Sequence, residues 1–128
     1  LAGEPWKTQE LVKKIIKEEY GTGPGGLSGN EDAGQMSAWL VFSMMGFYPV
    51  CPSSGEYVLT TPSFDEIRIS VPGGKSFIIT SVAGKNGGKY IRAITRDGGV
   101  YPYWNIKHED IIKGRRFTLQ LSGNPPVR

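Results

Sequence analysis

The chain has 128 residues, enough for one ordinary domain or a piece of a larger one. Its net charge of +3 comes from 15 Lys and Arg against 12 Asp and Glu scattered along the chain, too weak a surplus to argue for nucleic acid. No apolar run approaches the ~18 residues of a membrane helix, and the single Cys51 excludes an internal disulfide framework or a cysteine-based zinc site.

Residues 5–20 read as a helix. Trp6, Leu11, Val12, Ile15, Ile16 and Tyr20 recur at helical spacing, with Lys and Glu on the opposite face. Pro5 suits a first turn, and Gly21 suits a stop. A glycine-dense loop, 21–34, follows and closes on Asn30, Glu31 and Asp32. A second helix is predicted from about Ala33 to Met45, ending at Gly46. Met36, Trp39, Leu40, Val41, Phe42, Met44 and Met45 make it apolar almost all the way round, so it must be covered on every side. One amphipathic helix and a small sheet cannot do that. The second helix is therefore expected to belong to a larger helical assembly, whose other members this sequence lacks.

Beyond residue 50 the pattern becomes strand-like. Candidate strands are 57–61, 67–71, where Ile67, Ile69 and Val71 alternate with Arg68 and Ser70, 77–82, 90–96, 100–104 and 116–121. Pro72-Gly73-Gly74, Asn86-Gly87-Gly88 and Asp97-Gly98-Gly99 supply turn chemistry between them. Lys107 to Ile112 reads as one short helical turn. Together these predict an antiparallel sandwich. The chain opens at Leu1 with neither an initiator methionine nor a signal-peptide pattern, as expected of an excised or processed piece.

Few residues invite chemistry. The glycine-rich loop lacks the spacing of a phosphate-binding loop, and its two carboxylates would repel an anion. Asn30-Glu31-Asp32 stands at the start of a helix, where a carboxylate can act as a general base or as an oxygen ligand for a hard cation. The same residues can equally serve as helix caps. Trp39 is expected in the core, Trp6 either in the core or open to stack on a sugar, and Tyr103 and Trp104 inside the sandwich. His108 has no second metal-spaced partner and reads as a structural or surface residue. Cys51, between Val50 and Pro52, is expected to be a small buried hydrophobe. Lys13, Lys14 and Lys17 form a solvated helix face.

Four strings are more specific: GEPWKTQE at 3–10, GLSGNEDAGQMSAW at 26–39, GFYPVCP at 46–52 and HEDI at 108–111. In order along the chain, they resemble the C-terminal part of glycoside hydrolase family 92, calcium-dependent exo-acting α-mannosidases, many of them α-1,2-specific. The resemblance implies an inverting hydrolase acting on mannose-containing glycans in the periplasm or outside the cell. It implies an α+β piece: residues 1–50 as the last helices of an (α/α)6 barrel, and 51–128 as an antiparallel β-sandwich-like C-terminal portion. It casts Asp32 as the general base, Glu31 as a second catalytic candidate or orienting neighbour, and Asn30, Trp6 and Gln9 as substrate-binding residues. Calcium is the implied cofactor, its ligands unassigned. The general acid, a glutamate in the family, would come from the rest of the parent polypeptide, so the chain alone should be inactive. Ala33 departs from the family's usual cysteine there, which removes neither a base nor an oxygen ligand. The alternative is a non-catalytic sandwich that buttresses the barrel or binds carbohydrate. The apolar second helix also predicts self-association of the chain by itself.

Overall fold

The computed structural model describes residues 3–85 and 87–125; Asn86, part of one expected turn, lies outside them. Helix α1 covers Pro5–Glu19, with Pro5 in its first turn and Tyr20 extended at its end. A short 3-10 turn, Asp32–Gly34, leads into helix α2, Gln35–Met45. The stop is Gly46, at φ 84°, whose N–H bonds back to the carbonyls of Phe42 and Ser43. A Cβ at this position would lie 2.5 Å from the Pro62 ring, so both the backbone twist and the close approach require glycine.

Among the described residues eight strands follow: β1 Phe47–Tyr48, β2 Glu56–Leu59, β3 Glu66–Val71, β4 Lys75–Ala83, β5 Tyr90–Arg96, β6 Gly99–Val100, β7 Asn105–Lys107 and, after the short helix α3 (His108–Ile112), β8 Arg116–Ser122. They form a three-stranded sheet, β1-β2-β7, and a five-stranded sheet, β3-β4-β8-β5-β6. The class is α+β, two main helices ahead of a β-sandwich-like body. The pairings among these strands are antiparallel but for one: β4 and β8 run parallel, Ile79 beside Phe117. A parallel pair needs a long crossover instead of a turn, and here β5, β6, β7 and α3 supply it.

The core is the set of side chains that alternation directs inward: Ile67, Phe77, Ile79, Ile91, Ile94, Phe117, Leu119 and Leu121 from one sheet, with Phe47, Leu59 and Ile106 from the other. Phe77 and Phe117 are fully buried, each worth about 1.5–3 kcal/mol of hydrophobic stabilisation. Ile91 and Ile94 are three residues apart, which strict alternation would place on opposite faces. A bulge between Ile91 and Ala93 turns both inward. Asp110, 3% exposed, accepts from the Lys107 N–H and pairs with Arg96 at 3.2 Å, fixing α3 against the sheet.

Three expectations are corrected. The run 100–104 is not one strand: β6 stops at Val100, before Pro102, which has no N–H to donate to a ladder. Tyr101 turns into the core, while Tyr103 is 61% exposed instead of packed inside, and Trp104 is half-buried against the core. Cys51 is exposed in a proline-flanked surface turn, its Sγ 3.4 Å from Ser53 Oγ. His108 does lie at the surface, its Nδ1 3.0 Å from the Tyr57 hydroxyl.

Candidate active site

The acidic elbow sits where the glycine-rich loop meets α2, and residues 27–35 are all exposed. Its backbone turns through two successive left-handed residues, Ala33 at φ 54° and Gly34 at φ 77°. Glycine adopts this freely; alanine does so at a cost of about 1–2 kcal/mol. The turn therefore has to be held from outside, and two contacts hold it.

The first is Glu31. Both of its carboxylate oxygens accept from the Ser37 N–H, at 3.1 and 3.2 Å, and one also accepts from the Ser37 hydroxyl at 2.9 Å. Glu31 thus satisfies an orphan donor in the first turn of α2, where an anion is favoured by the helix dipole. The second is Tyr20, whose hydroxyl donates to the Met36 carbonyl at 3.1 Å and whose ring stacks on Trp39, centroids 5.6 Å apart and 9° from parallel. Burial, with the charge of Glu31 nearby, pushes the Tyr20 phenol up, so it remains a donor at neutral pH.

These contacts separate the two carboxylates. Glu31 is committed to Ser37, whereas the Asp32 carboxylate is exposed and takes no partner among the described residues. Asn30 is exposed beside them. Sequence reasoning missed Ser37 and Tyr20. No capping signature marks them, because Glu31 reaches six residues forward across the 3-10 turn and Tyr20 comes from another helix.

Trp6 lies half-buried in the first turn of α1. Gln9 does not match its expected place among sugar-contacting residues. It is 1% exposed, its Oε1 accepting from the Ile91 N–H at 2.9 Å and from the Thr61 hydroxyl at 3.0 Å. Further chain packed around it could only bury it more.

A calcium ion wants six to eight oxygen ligands. Among the described residues no group of three or more His, Cys, Asp or Glu side chains converges to hold a metal ion. At the elbow, Asp32 is the one carboxylate without a partner, so these residues do not by themselves fit the ion. No helix among the described residues is long and apolar enough to cross a membrane.

Known proteins share much of this chain's sequence and fold. A glycosidase of Arthroderma benhamiae, described as secreted and uncharacterized, is 30% identical over 123 residues, covering 94% of this chain but 16% of its own length. A family 92 α-mannosidase from Bacteroides thetaiotaomicron, solved in complex with mannoimidazole, superposes with a TM-score of 0.84 at 35% identity, over 95% of this chain and 16% of that one. A family 92 inverting mannosidase from strain VPI-5482 of the same species gives 0.85 at 36% identity, over 96% and 17%. The chain thus spans about a sixth of the length of these relatives. The sequence model of the glycosyl hydrolase family 92 catalytic domain matches residues 1–123, and the chain belongs to that family.

Proposed function

We propose that this chain is the C-terminal part of an inverting exo-α-mannosidase that removes terminal α-mannosyl residues, α-1,2-linked among them, from glycans outside the cytoplasm, with Asp32 as the general base. In this reading residues 1–50 complete the helical catalytic barrel and residues 51–128 form the sandwich beside it. The observation that carries the assignment is the division of labour at the elbow. Glu31 is bound up with Ser37, and Asp32 is left exposed on a turn whose strained backbone fixes its direction.

Inversion is a single displacement. The base takes a proton from water as the water oxygen attacks the anomeric carbon. The glycosidic bond breaks on the opposite face, where an acid protonates the departing oxygen. The two carboxyl groups must stand roughly 6.5–9.5 Å apart to leave room for the water. Asp32 is suited to the water side: it is solvent-accessible and free to accept a proton from water. Asn30 would contact the sugar or the water beside it, and Trp6 would offer an aromatic face to the ring. Gln9 has no place in this set. The acid would come from parent sequence outside this chain, so the chain alone is expected to be inactive. Calcium is the cofactor this reading gives the parent enzyme, with no ligand to it assigned in this chain.

The test is Asp32→Asn in the full-length parent enzyme. Turnover of an α-mannoside should fall by about 10²-fold or more with little change in KM. Glu31→Gln, which keeps one acceptor oxygen for Ser37, should fall less. Near-normal turnover in Asp32→Asn would remove Asp32 from the chemistry.

A further inference from the structure

Helix α1 carries an apolar stripe, yet Leu11 is 57% exposed, Val12, Ile15 and Ile16 are half-buried, and the helix's one fully buried residue is polar Gln9. Its partners are Ile91, on β5, and Thr61, just after β2. Strand β5 is paired with β8 on one side, while β6 covers its other side only at Thr95 and Arg96. The uncovered edge begins with Lys89, Tyr90 and Ile91, and α1 closes on it. Gln9 accepts from the Ile91 N–H and the Thr61 hydroxyl, which also lies 2.9 Å from the Lys89 carbonyl. Next to it, Glu10 accepts from the Tyr90 hydroxyl and from Lys89 Nζ at 3.3 Å.

A hydrogen-bonded clasp of this kind differs from an apolar seal. Apolar surfaces tolerate sliding by a turn, but a side-chain oxygen on one backbone N–H has a single register. Just past the last turn of the same helix, Tyr20 braces Met36 and Trp39 in the first turns of α2, directly after the acidic elbow. The helix and the extended residue that ends it therefore connect the sheet edge to the first turns of α2.

We propose that Gln9 is a positioning residue: it keys α1 to the sandwich in one register, so that the β-sandwich sets the placement of the elbow that presents Asp32. The proposal rests on the assignment of Asp32 as the base, and it gives the sandwich a role in that chemistry without sugar binding. A clasp that only protected a strand edge would contribute stability and nothing else.

The experiment is Gln9→Met in the full-length parent, which keeps length and apolar bulk but removes the acceptor, with Thr61→Val as the milder variant should the first not fold. Activity is measured well below the melting temperature, where folded fractions are equal, alongside hydrogen exchange at the amides of residues 33–37. A positioning role lowers kcat by about tenfold or more and speeds exchange at the elbow. A lower melting temperature with unchanged kcat and unchanged elbow exchange overturns it. If the wild-type parent cleaves no α-mannoside, the assignment of Asp32 falls. Exchange alone then judges the clasp: faster elbow exchange sustains it, and unchanged exchange overturns it.

Discussion

Ala33 is one of two non-glycine residues at positive φ among those described, and the two are not equivalent. Asp97, at φ 50°, occupies a hairpin turn where its carboxylate accepts from Arg115 and from the Arg116 N–H. Ala33 has no side chain with which to offset its conformation. Replacing it by glycine relieves about 1–2 kcal/mol of left-handed strain and gives back roughly 0.5–1 kcal/mol through the greater freedom of the unfolded chain. Ala33→Gly is therefore expected to stabilise by about 1 kcal/mol or less, read as a higher urea midpoint at unchanged slope. Gly46→Ala runs the other way, since the new Cβ meets Pro62 at 2.5 Å with φ at 84°, and it should cost about 2–4 kcal/mol. The two positions also differ in legibility. A glycine after an apolar helical run announces a stop, so Gly46 could be read in advance. Alanine is the best helix former, so at position 33 the sequence points to a helix start, and the left-handed turn is visible only in the fold.

At the level of elements, the clasp between α1 and β5 carries a pH signature. The Tyr90 hydroxyl, and then Lys89, hold the Glu10 carboxyl below its ordinary value of 4.5. A carboxyl depressed by folding contributes stability above its unfolded pKa and loses it as pH falls through the folded value. Glu10→Gln should therefore melt below wild type at neutral pH, with the gap closing below about pH 4.5; a gap that stayed constant with pH would take Glu10 out of the linkage. The clasp was not legible in the sequence, because a Gln and a Glu on a helix read as a solvated face, and only tertiary packing brings the edge of β5 to them. Alternation gave β3 away, and β5 and β8 kept their predicted starts. What local pattern could not carry was pairing partner. The parallel β4–β8 pair depends on a crossover of more than thirty residues in the chain between them, and Pro102 sends the expected strand at 100–104 out of its sheet.

On the scale of the whole molecule, what remains open is as informative as what is packed. The sandwich closes its own core, with Phe77, Ile79, Phe117 and Leu119 fully buried. The helix pair does not: α2 buries Ser43 alone, leaving Val41 55% exposed, with Leu11 of α1 at 57% and Leu27 and Val50 also exposed. Of the apolar residues that run all the way round α2, Val41 is left exposed, while Met36, Trp39, Leu40, Phe42, Met44 and Met45 are half-buried within this chain. Exposed apolar surface of this kind is satisfied by association, which under the proposed function would come from the rest of the parent enzyme. Taken alone, the 128-residue chain is expected to form dimers or larger species at micromolar concentrations. Multi-angle light scattering checks this, with a concentration-dependent mass as the expected result. Val41→Glu together with Leu11→Lys should shift that mass toward the monomer without altering the far-ultraviolet spectrum, because both side chains lie outside the sandwich core. A chain that stays monomeric without these changes would mean that the exposed face is tolerated by water, and the case for a missing helical cover would weaken with it.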